Sequence, residues 1–92
     1  MHLRTTTFQM NDVDAAVAAI PGISQKLATI PGLIRSQVGW NADGSGTTTT
    51  VYDSAESADA AQAVIMEIWG GLMPLLAGPP ETKVFESCEV MK

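Results

Sequence analysis

The sequence predicts one α+β domain, and three observations support that class. The chain has 92 residues, which suits a single domain, since domains usually contain about 100–150 residues. Two stretches repeat apolar residues at steps of three and four, the spacing of one helix face. Four other stretches are rich in β-branched residues or alternate in polarity, as strands do. Residues 41–46, Asn-Ala-Asp-Gly-Ser-Gly, separate two of these strands as a hairpin turn. Residues 1–92 are therefore expected to form one domain.

The first half of the chain is predicted to form a strand, a helical region and a second strand. Residues 3–10 are rich in Thr, which favours a strand. Asn11 and Asp12 are both suitable N-caps for the helical region that follows over residues 12–30. Pro21 interrupts that region, but the apolar spacing keeps the same phase on both sides of it. We expect one kinked helix or two short coaxial helices there, and then a strand over residues 33–40.

The second half is predicted to repeat this order. Residues 47–52 are β-branched apart from the last and form the return strand of the hairpin. Asp53, with a glutamate three residues further on, resembles a capping box at the start of the second helix. Its apolar stripe runs over residues 58–72, and the glycines at 70–71 together with Pro74 are expected to break it. Residues 83–91 are predicted to be the last strand.

The order β-α-β-β-α-β is that of a ferredoxin-like protomer, with an antiparallel four-stranded sheet and both helices on one face. Apolar residues fall on both faces of the second strand: Ile34, Val38 and Trp40 alternate with Leu33. A sheet with apolar groups on both sides usually has both sides covered. A second copy of the chain could supply the missing cover, so the sequence predicts a homodimer.

Charge and composition exclude several classes of partner. Five Lys and Arg face ten Asp and Glu, which gives a net charge of −5. Nucleic acids and anionic membrane surfaces need clustered basic residues, so neither is expected as a partner. No apolar run approaches the ~18 residues of a membrane span, and no apolar segment of a signal peptide follows Arg4. The single cysteine, Cys88, cannot form an internal disulfide, which favours a cytoplasmic location.

No metal or cofactor is expected from the sequence. His2 and Cys88 are the only good soft ligands, and no pair of ligands has metal-binding spacing. The glycines at 44 and 46 lie in the hairpin and do not precede a helix, so they form no phosphate loop. His2 is expected to be a partly exposed strand residue, and a role as a base at the rim of a site is the less favoured alternative. Cys88 is expected to be a small buried hydrophobe.

The segment Pro31-Gly32-Leu33, together with residues 47–54 and Ala58 of the second helix, resembles the antibiotic biosynthesis monooxygenase-like family of the dimeric α/β-barrel superfamily. Leu33 replaces a frequent aromatic of that family, and Tyr52 replaces a tryptophan. The resemblance implies two protomers whose sheets face each other to close a barrel. It also implies a pocket between sheet and helices in each protomer.

The resemblance implies several possible activities. Some members of the family are cofactor-independent monooxygenases that convert polycyclic phenols to quinones, and others degrade haem with an Asn, a Trp and a helix-borne His. The only histidine of this chain is His2, at the N-terminus, so haem degradation is disfavoured. The leading hypothesis is a cofactor-independent monooxygenase-like protein that acts on a small planar aromatic or phenolic compound. The alternative is a non-catalytic protein that binds a small apolar molecule or serves as an accessory.

Candidate pocket residues follow from side-chain chemistry and from position on the predicted elements. Trp69 lies on the flank of the second helix together with Met66 and Met73, where all three could pack in the core or form an adaptable ligand wall. Strand arginines are usually solvated, but in a barrel Arg4 or Arg35 could bind a phenolate. Tyr52 is expected to be structural, with a hydrogen bond to a ligand as the alternative. The candidate set comprises Arg4, Arg35, Tyr52, Met66, Trp69 and Met73.

Overall fold

A computed structural model describes residues 1–92 and confirms the predicted order of elements. The elements are β1 (His2–Gln9), α1 (Val13–Ala18), α2 (Ile20–Leu27), β2 (Leu33–Trp40), β3 (Ser45–Tyr52), α3 (Ala55–Leu72) and β4 (Glu81–Phe85), with a short 3-10 helix at Met73–Leu75. The strands form one antiparallel sheet in the order β2-β3-β1-β4. The α+β, ferredoxin-like prediction is therefore correct.

The predicted interruption at Pro21 divides the first helical region into α1 and α2. Asp12 is the N-cap of α1, and its Oδ1 accepts a hydrogen bond from the amide of Ala15 at 3.0 Å. The break falls at Ala19, and Pro21 lies in the first turn of α2. A proline is tolerated at that place because the first amides of a helix have no partner within the helix.

The second long helix begins and ends at different residues from those predicted. Its N-cap is Ser54, whose Oγ accepts from the amide of Ser57 at 3.1 Å, whereas the Asp53 carboxylate accepts from the hydroxyls of both serines. Gly70 and Gly71 do not break the helix, which continues to Leu72. Glycine costs only about 1 kcal/mol in a helix interior, so the packing of the buried Ile68 side of α3 is enough to keep the helix intact.

The last strand is shorter than predicted, because β1 runs out of residues to pair with it. Leu3 of β1 lies opposite Phe85 in the antiparallel register, and this is the final pair. One more step would bring Glu86 opposite His2, where β1 begins. The alternating pattern over residues 86–91 therefore has no strand beside it in this chain, and those residues are not in a strand.

A β-bulge changes the predicted division of faces in β2. Leu33 lies opposite Tyr52 and Arg35 lies opposite Val51, so Ile34 is an extra residue between two consecutive pairs. Leu33 therefore points to the same side as Ser36 and Val38 and packs on the core, while Ile34 is 53% exposed. The prediction that Leu33 lies on the face opposite Val38 and Trp40 is wrong, because a bulge resets the alternation.

Most buried apolar residues form two separate clusters at opposite ends of the sheet, while Val51 and Ile68 are buried outside both. The first cluster contains Ile30, Tyr52, Ala58 and Ala61. The second cluster contains Met10, Ala16 and Leu76. All helices pack on one face of the sheet, and the middle of that face lies between the two clusters without belonging to either.

Candidate functional site

A cavity of about 870 Å³ occupies the space between the sheet, α2 and α3. Binding sites for small molecules usually have volumes of about 300–1,000 Å³ and a mainly apolar lining. Eighteen of the thirty residues that line this cavity are hydrophobic. Its size and lining therefore make it the candidate functional site. We call the sheet side its floor and the helix side its roof.

Short hydroxyl side chains form the floor and leave the volume open. Thr6 and Thr82 share a hydrogen bond of 2.9 Å between their hydroxyls, and Ser36 and Thr50 share one of 3.1 Å. Thr48 lies opposite Thr6 in the strand register and also lines the cavity. Because these side chains are too short to reach the helices, the sheet and the roof stay apart. The hydroxyls also give a ligand hydrogen-bonding groups along one side.

The roof is apolar and partly adaptable. Ile65, Ile68 and Trp69 of α3 line it, together with Ile23 of α2. The ring of Trp69 packs against the ring of Phe8 on the floor, with centroids 5.7 Å apart. This aromatic contact joins the roof to the floor at the end of the cavity near the second cluster, whose residues also line the cavity.

The cavity opens to solvent at the two edge strands of the sheet. Its rim on the β4 side contains Met66 (61% exposed), Met73 (41%) and Val84 (55%). Its rim on the β2 side contains Val38 and Trp40, which are also exposed. Methionine side chains are flexible and pack against varied shapes, so the β4-side rim suits the entry of an apolar molecule.

Arg4 is fixed at the floor by three hydrogen bonds. Its Nη1 donates to Gln62 Oε1 and its Nη2 to Asp59 Oδ1, both at 2.9 Å. Its Nε donates to His2 Nε2 at 3.1 Å. Asp59 and Gln62 are three residues apart on α3, so one face of the helix holds both ends of the guanidinium.

His2 is buried, contrary to the prediction of a partly exposed residue. Only 2% of its surface is accessible, because it lies opposite Tyr52 in the register and beside Arg4. Arginine only donates hydrogen bonds, so His2 Nε2 must be the acceptor and the ring proton is on Nδ1. That Nδ1 has no hydrogen-bond partner, and His2 is not among the residues that line the cavity.

Tyr52 contributes the only phenol of the chain to the cavity lining. Its side chain is 2% exposed and belongs to the first cluster. Burial raises the pKa of Tyr52 above the ordinary 10.0, while the positive charge of Arg4 acts in the opposite direction. The phenol therefore stays protonated at neutral pH, when it can donate a hydrogen bond to a ligand oxygen.

Five of the six candidate residues from the sequence line this one cavity, namely Arg4, Tyr52, Met66, Trp69 and Met73. Arg35 does not. It lies opposite Val51 on the open face, which is the sheet face without helices, where it is exposed and donates to Gln37 at 3.1 Å. The inclusion of Arg35 in the pocket set is therefore corrected: Arg4 and Arg35 point to opposite faces of the sheet.

Sequence reasoning missed the hydroxyl floor and two polar residues of α3. Asp59, Gln62, Met66, Trp69 and Met73 follow one another at steps of three, four, three and four, so they share one flank of the helix. The same spacing that groups Met66, Trp69 and Met73 could have shown that Asp59 and Gln62 lie on their flank of the helix. The floor could not have been found in this way, because only the strand register brings Thr6 beside Thr48 and Thr82.

The structure contains no group of three or more His, Cys, Asp and Glu residues arranged to hold a metal ion. None of its helices combines the length and the apolar character needed to cross a membrane.

Solved structures share this fold across almost the whole chain. SnoaB, a cofactor-independent oxygenase from Streptomyces nogalater, superposes with a TM-score of 0.79 at 16% identity, over 98% of this chain and 95% of that chain. A candidate antibiotic biosynthesis monooxygenase from Nitrosomonas europaea superposes with a TM-score of 0.78 at 16% identity, over 97% and 100% of the two chains.

A third solved structure, a Nitrosomonas europaea protein of unknown function, has a TM-score of 0.83 at 8% identity, over 99% of this chain and 92% of that one. No protein-family model matches the sequence, and no curated protein matches it either. At such low identities the likeness is one of fold. The chain has the fold of the antibiotic biosynthesis monooxygenase-like proteins.

Proposed function

We propose that the chain is a cofactor-independent monooxygenase-like enzyme that acts on a small planar aromatic or phenolic compound. The observation that carries the proposal is the cavity of about 870 Å³ with an apolar roof and a hydroxyl floor. Its shape and chemistry suit a flat ring system that carries oxygen substituents along one side. The likeness in fold to SnoaB, a cofactor-independent oxygenase, supports the choice of reaction class.

The reaction needs only the substrate and molecular oxygen. A phenol with a free ring C–H position loses its hydroxyl proton, and the resulting phenolate gives one electron to O2. The two radicals combine at the ring carbon, and the resulting peroxide anion takes back from solvent the proton that the phenol lost. The hydroperoxide then loses water, which includes the hydrogen of that ring carbon, and leaves a quinone. One oxygen atom of O2 becomes the new carbonyl, the other leaves as water, and the substrate supplies all the electrons.

The residues of the cavity have distinct parts in this scheme. Arg4 lies at the floor, where the N–H groups that its three partners leave free can donate to the developing phenolate oxygen, which is a stronger acceptor than the neutral phenol. Trp69 and the apolar roof exclude water from the intermediate. Tyr52 positions a substrate oxygen through its protonated hydroxyl.

The proposal includes a homodimer in which two open sheet faces pack together. Val51, Leu3 and Phe85 lie side by side across three strands of the open face. Phe85 is 45% exposed in the single chain and is available for packing, Leu3 is half-buried, and Val51 is already buried. Covering this row with a second copy would remove apolar surface from water and stabilise both copies.

Oxygen consumption by the purified protein tests the reaction. We expect O2 uptake with at least one member of a panel of phenols, naphthols and hydroquinones, together with formation of the matching quinone. Arg4→Ala and Trp69→Phe should lower the rate. Arg35→Ala is the matched control, because this arginine points away from the cavity. Absence of uptake across the panel would contradict the enzymatic proposal.

A second candidate function is non-catalytic binding of an apolar aromatic molecule. The cavity lining contains one carboxylate, that of Asp59, and no histidine. It therefore offers no acid–base pair, which favours binding without catalysis. Native mass spectrometry distinguishes the two functions. A bound molecule that is retained unchanged in the presence of O2 supports binding alone, whereas its conversion supports the enzyme.

A further inference from the structure

Arg4 and Asp59 are the only charged residues that line the cavity. Their side chains are in contact, with Arg4 Nη2 2.9 Å from Asp59 Oδ1. Arg4 is 20% exposed at the floor, and Asp59 is 76% exposed on α3. One positive and one negative charge therefore compensate each other at the side of the cavity, and the rest of its polar lining is uncharged.

The hydrogen bonds of Arg4 also limit how it can bind an anion. A free guanidinium grips a carboxylate or sulfonate with two parallel N–H bonds. Here the only Nε–H is donated to His2 Nε2, so the edge that includes Nε is closed. The two remaining nitrogens are each held by a different residue of α3, Gln62 and Asp59. Two of the five N–H donors are left without a partner, and an anion bound to them would lie close to the Asp59 carboxylate and be repelled by it.

We propose that Asp59 is a specificity-determining residue. By pairing with Arg4 it makes the cavity select aromatic ligands that are uncharged at neutral pH over carboxylates and sulfonates of the same shape. This inference rests on the proposed function and narrows its substrate class. Phenols fit the requirement, since a simple phenol has a pKa of about 10 and is neutral at pH 7. Negative charge then develops beside Arg4 only as the phenol loses its proton.

Two dyes with the same ring skeleton test the inference, neutral N-phenylnaphthylamine and its sulfonated analogue anilinonaphthalenesulfonate. Their dissociation constants are measured by fluorescence titration of the full chain at low salt, because screening weakens exposed charges. The variant Thr48→Phe fills the floor of the cavity. The part of the dye fluorescence that this variant loses is taken as binding in the cavity. The wild type should bind the neutral dye more tightly. Asp59→Asn should raise the affinity for the sulfonated dye about fivefold. Its affinity for the neutral dye should stay within about twofold of the wild-type value.

Glu67→Gln is the matched control. It removes the same charge from the same helix, but Glu67 pairs with Lys26 at 3.1 Å and neither residue lines the cavity. Gln62→Glu changes the charge beside Arg4 in the opposite direction, and this test does not require Asp59→Asn to be stable. It adds a second carboxylate beside Arg4 and should weaken binding of the sulfonated dye about fivefold.

The possible results separate the inference from the function on which it rests. If the wild type binds neither dye in the cavity, the proposed function and the inference both fail. If it binds the dyes but Asp59→Asn and Glu67→Gln change the affinity for the sulfonated dye equally, net charge alone is responsible and only the inference is overturned. A wild type that prefers the sulfonated dye would overturn it as well.

Discussion

The indole of Trp69 and the ring of Phe8 meet at an interplanar angle of 53°, with centroids 5.7 Å apart. This tilted contact joins the end of α3 to β1. Both rings pack against the second cluster and line the cavity. One aromatic pair therefore both joins roof to floor and forms one wall of the candidate site.

Phe8→Leu removes this pair while keeping an apolar side chain. We expect a loss of about 1 kcal/mol in the free energy of unfolding, since tilted aromatic pairs contribute about 0.5–1.5 kcal/mol beyond their buried area. Urea unfolding followed by circular dichroism measures the loss. The control is a double-mutant cycle with Trp69→Leu, because it isolates the contact between the two rings. Additive losses in the double variant would show that the ring contact adds nothing.

Ionisation of Tyr52 should make the protein less stable at high pH. Because burial raises its pKa above 10.0, the folded chain keeps the phenol proton at pH values where the unfolded chain has lost it. The contribution of the protonated Tyr52 to stability is complete below the pKa that this phenol has in the unfolded chain. It decreases as the pH rises through that value towards the pKa of the folded chain. Since Tyr52 is the only tyrosine, tyrosinate absorbance reports this residue alone.

The expected titration midpoint lies above 10.0 in the folded protein and returns to the ordinary value in concentrated urea. Tyr52→Phe should unfold with a weaker dependence on pH in the alkaline range. A folded-state midpoint equal to that in urea would contradict the burial of this phenol.

Filling the floor should abolish ligand binding without unfolding the protein. Thr48 lines the cavity and is only partly buried, so Thr48→Phe can place its ring in the open volume. We expect a loss of at least about tenfold in affinity for an aromatic ligand, with a melting temperature equal to or above that of the wild type, because apolar area is buried. Thr49→Phe is the control on the open face. Equal effects of both variants on binding would place the ligand elsewhere.

The hairpin between β2 and β3 should depend on glycine at one position. Gly44 has φ +91°, and a Cβ there would collide with the carbonyl oxygen of Met10. Gly44→Ala should destabilise the protein by about 1–3 kcal/mol. Gly22→Ala is the control, since a Cβ at that position meets nothing within 4 Å and alanine favours a helix by about 1 kcal/mol. Thermal unfolding of both variants measures the change in stability from the wild type, which should be a loss in Gly44→Ala and a gain in Gly22→Ala.

Local patterns were sufficient to predict the order of elements but not all of their ends. The strand 33–40 and the split at Pro21 follow from spacing and from the missing amide of proline. The last strand was predicted too long, since the alternation of residues 86–91 says nothing about whether a partner strand lies beside them. The bulge at Ile34 escaped prediction for a similar reason, because it is visible only in the pairing of Leu33 with Tyr52 and of Arg35 with Val51.

The sequence by itself determined the fold class and the Trp and Met flank of α3. It also singled out Arg4 and Arg35 as candidate basic residues. Each of these depends on the pattern of neighbours a few positions away. Only the tertiary structure decided that Arg4 faces the cavity, that Arg35 faces away, and that Asp59 pairs with Arg4 at 2.9 Å. Arg4 and Asp59 are 55 positions apart in the chain. Their contact depends on how α3 crosses the sheet, which is fixed by packing of the whole core and not by any local pattern.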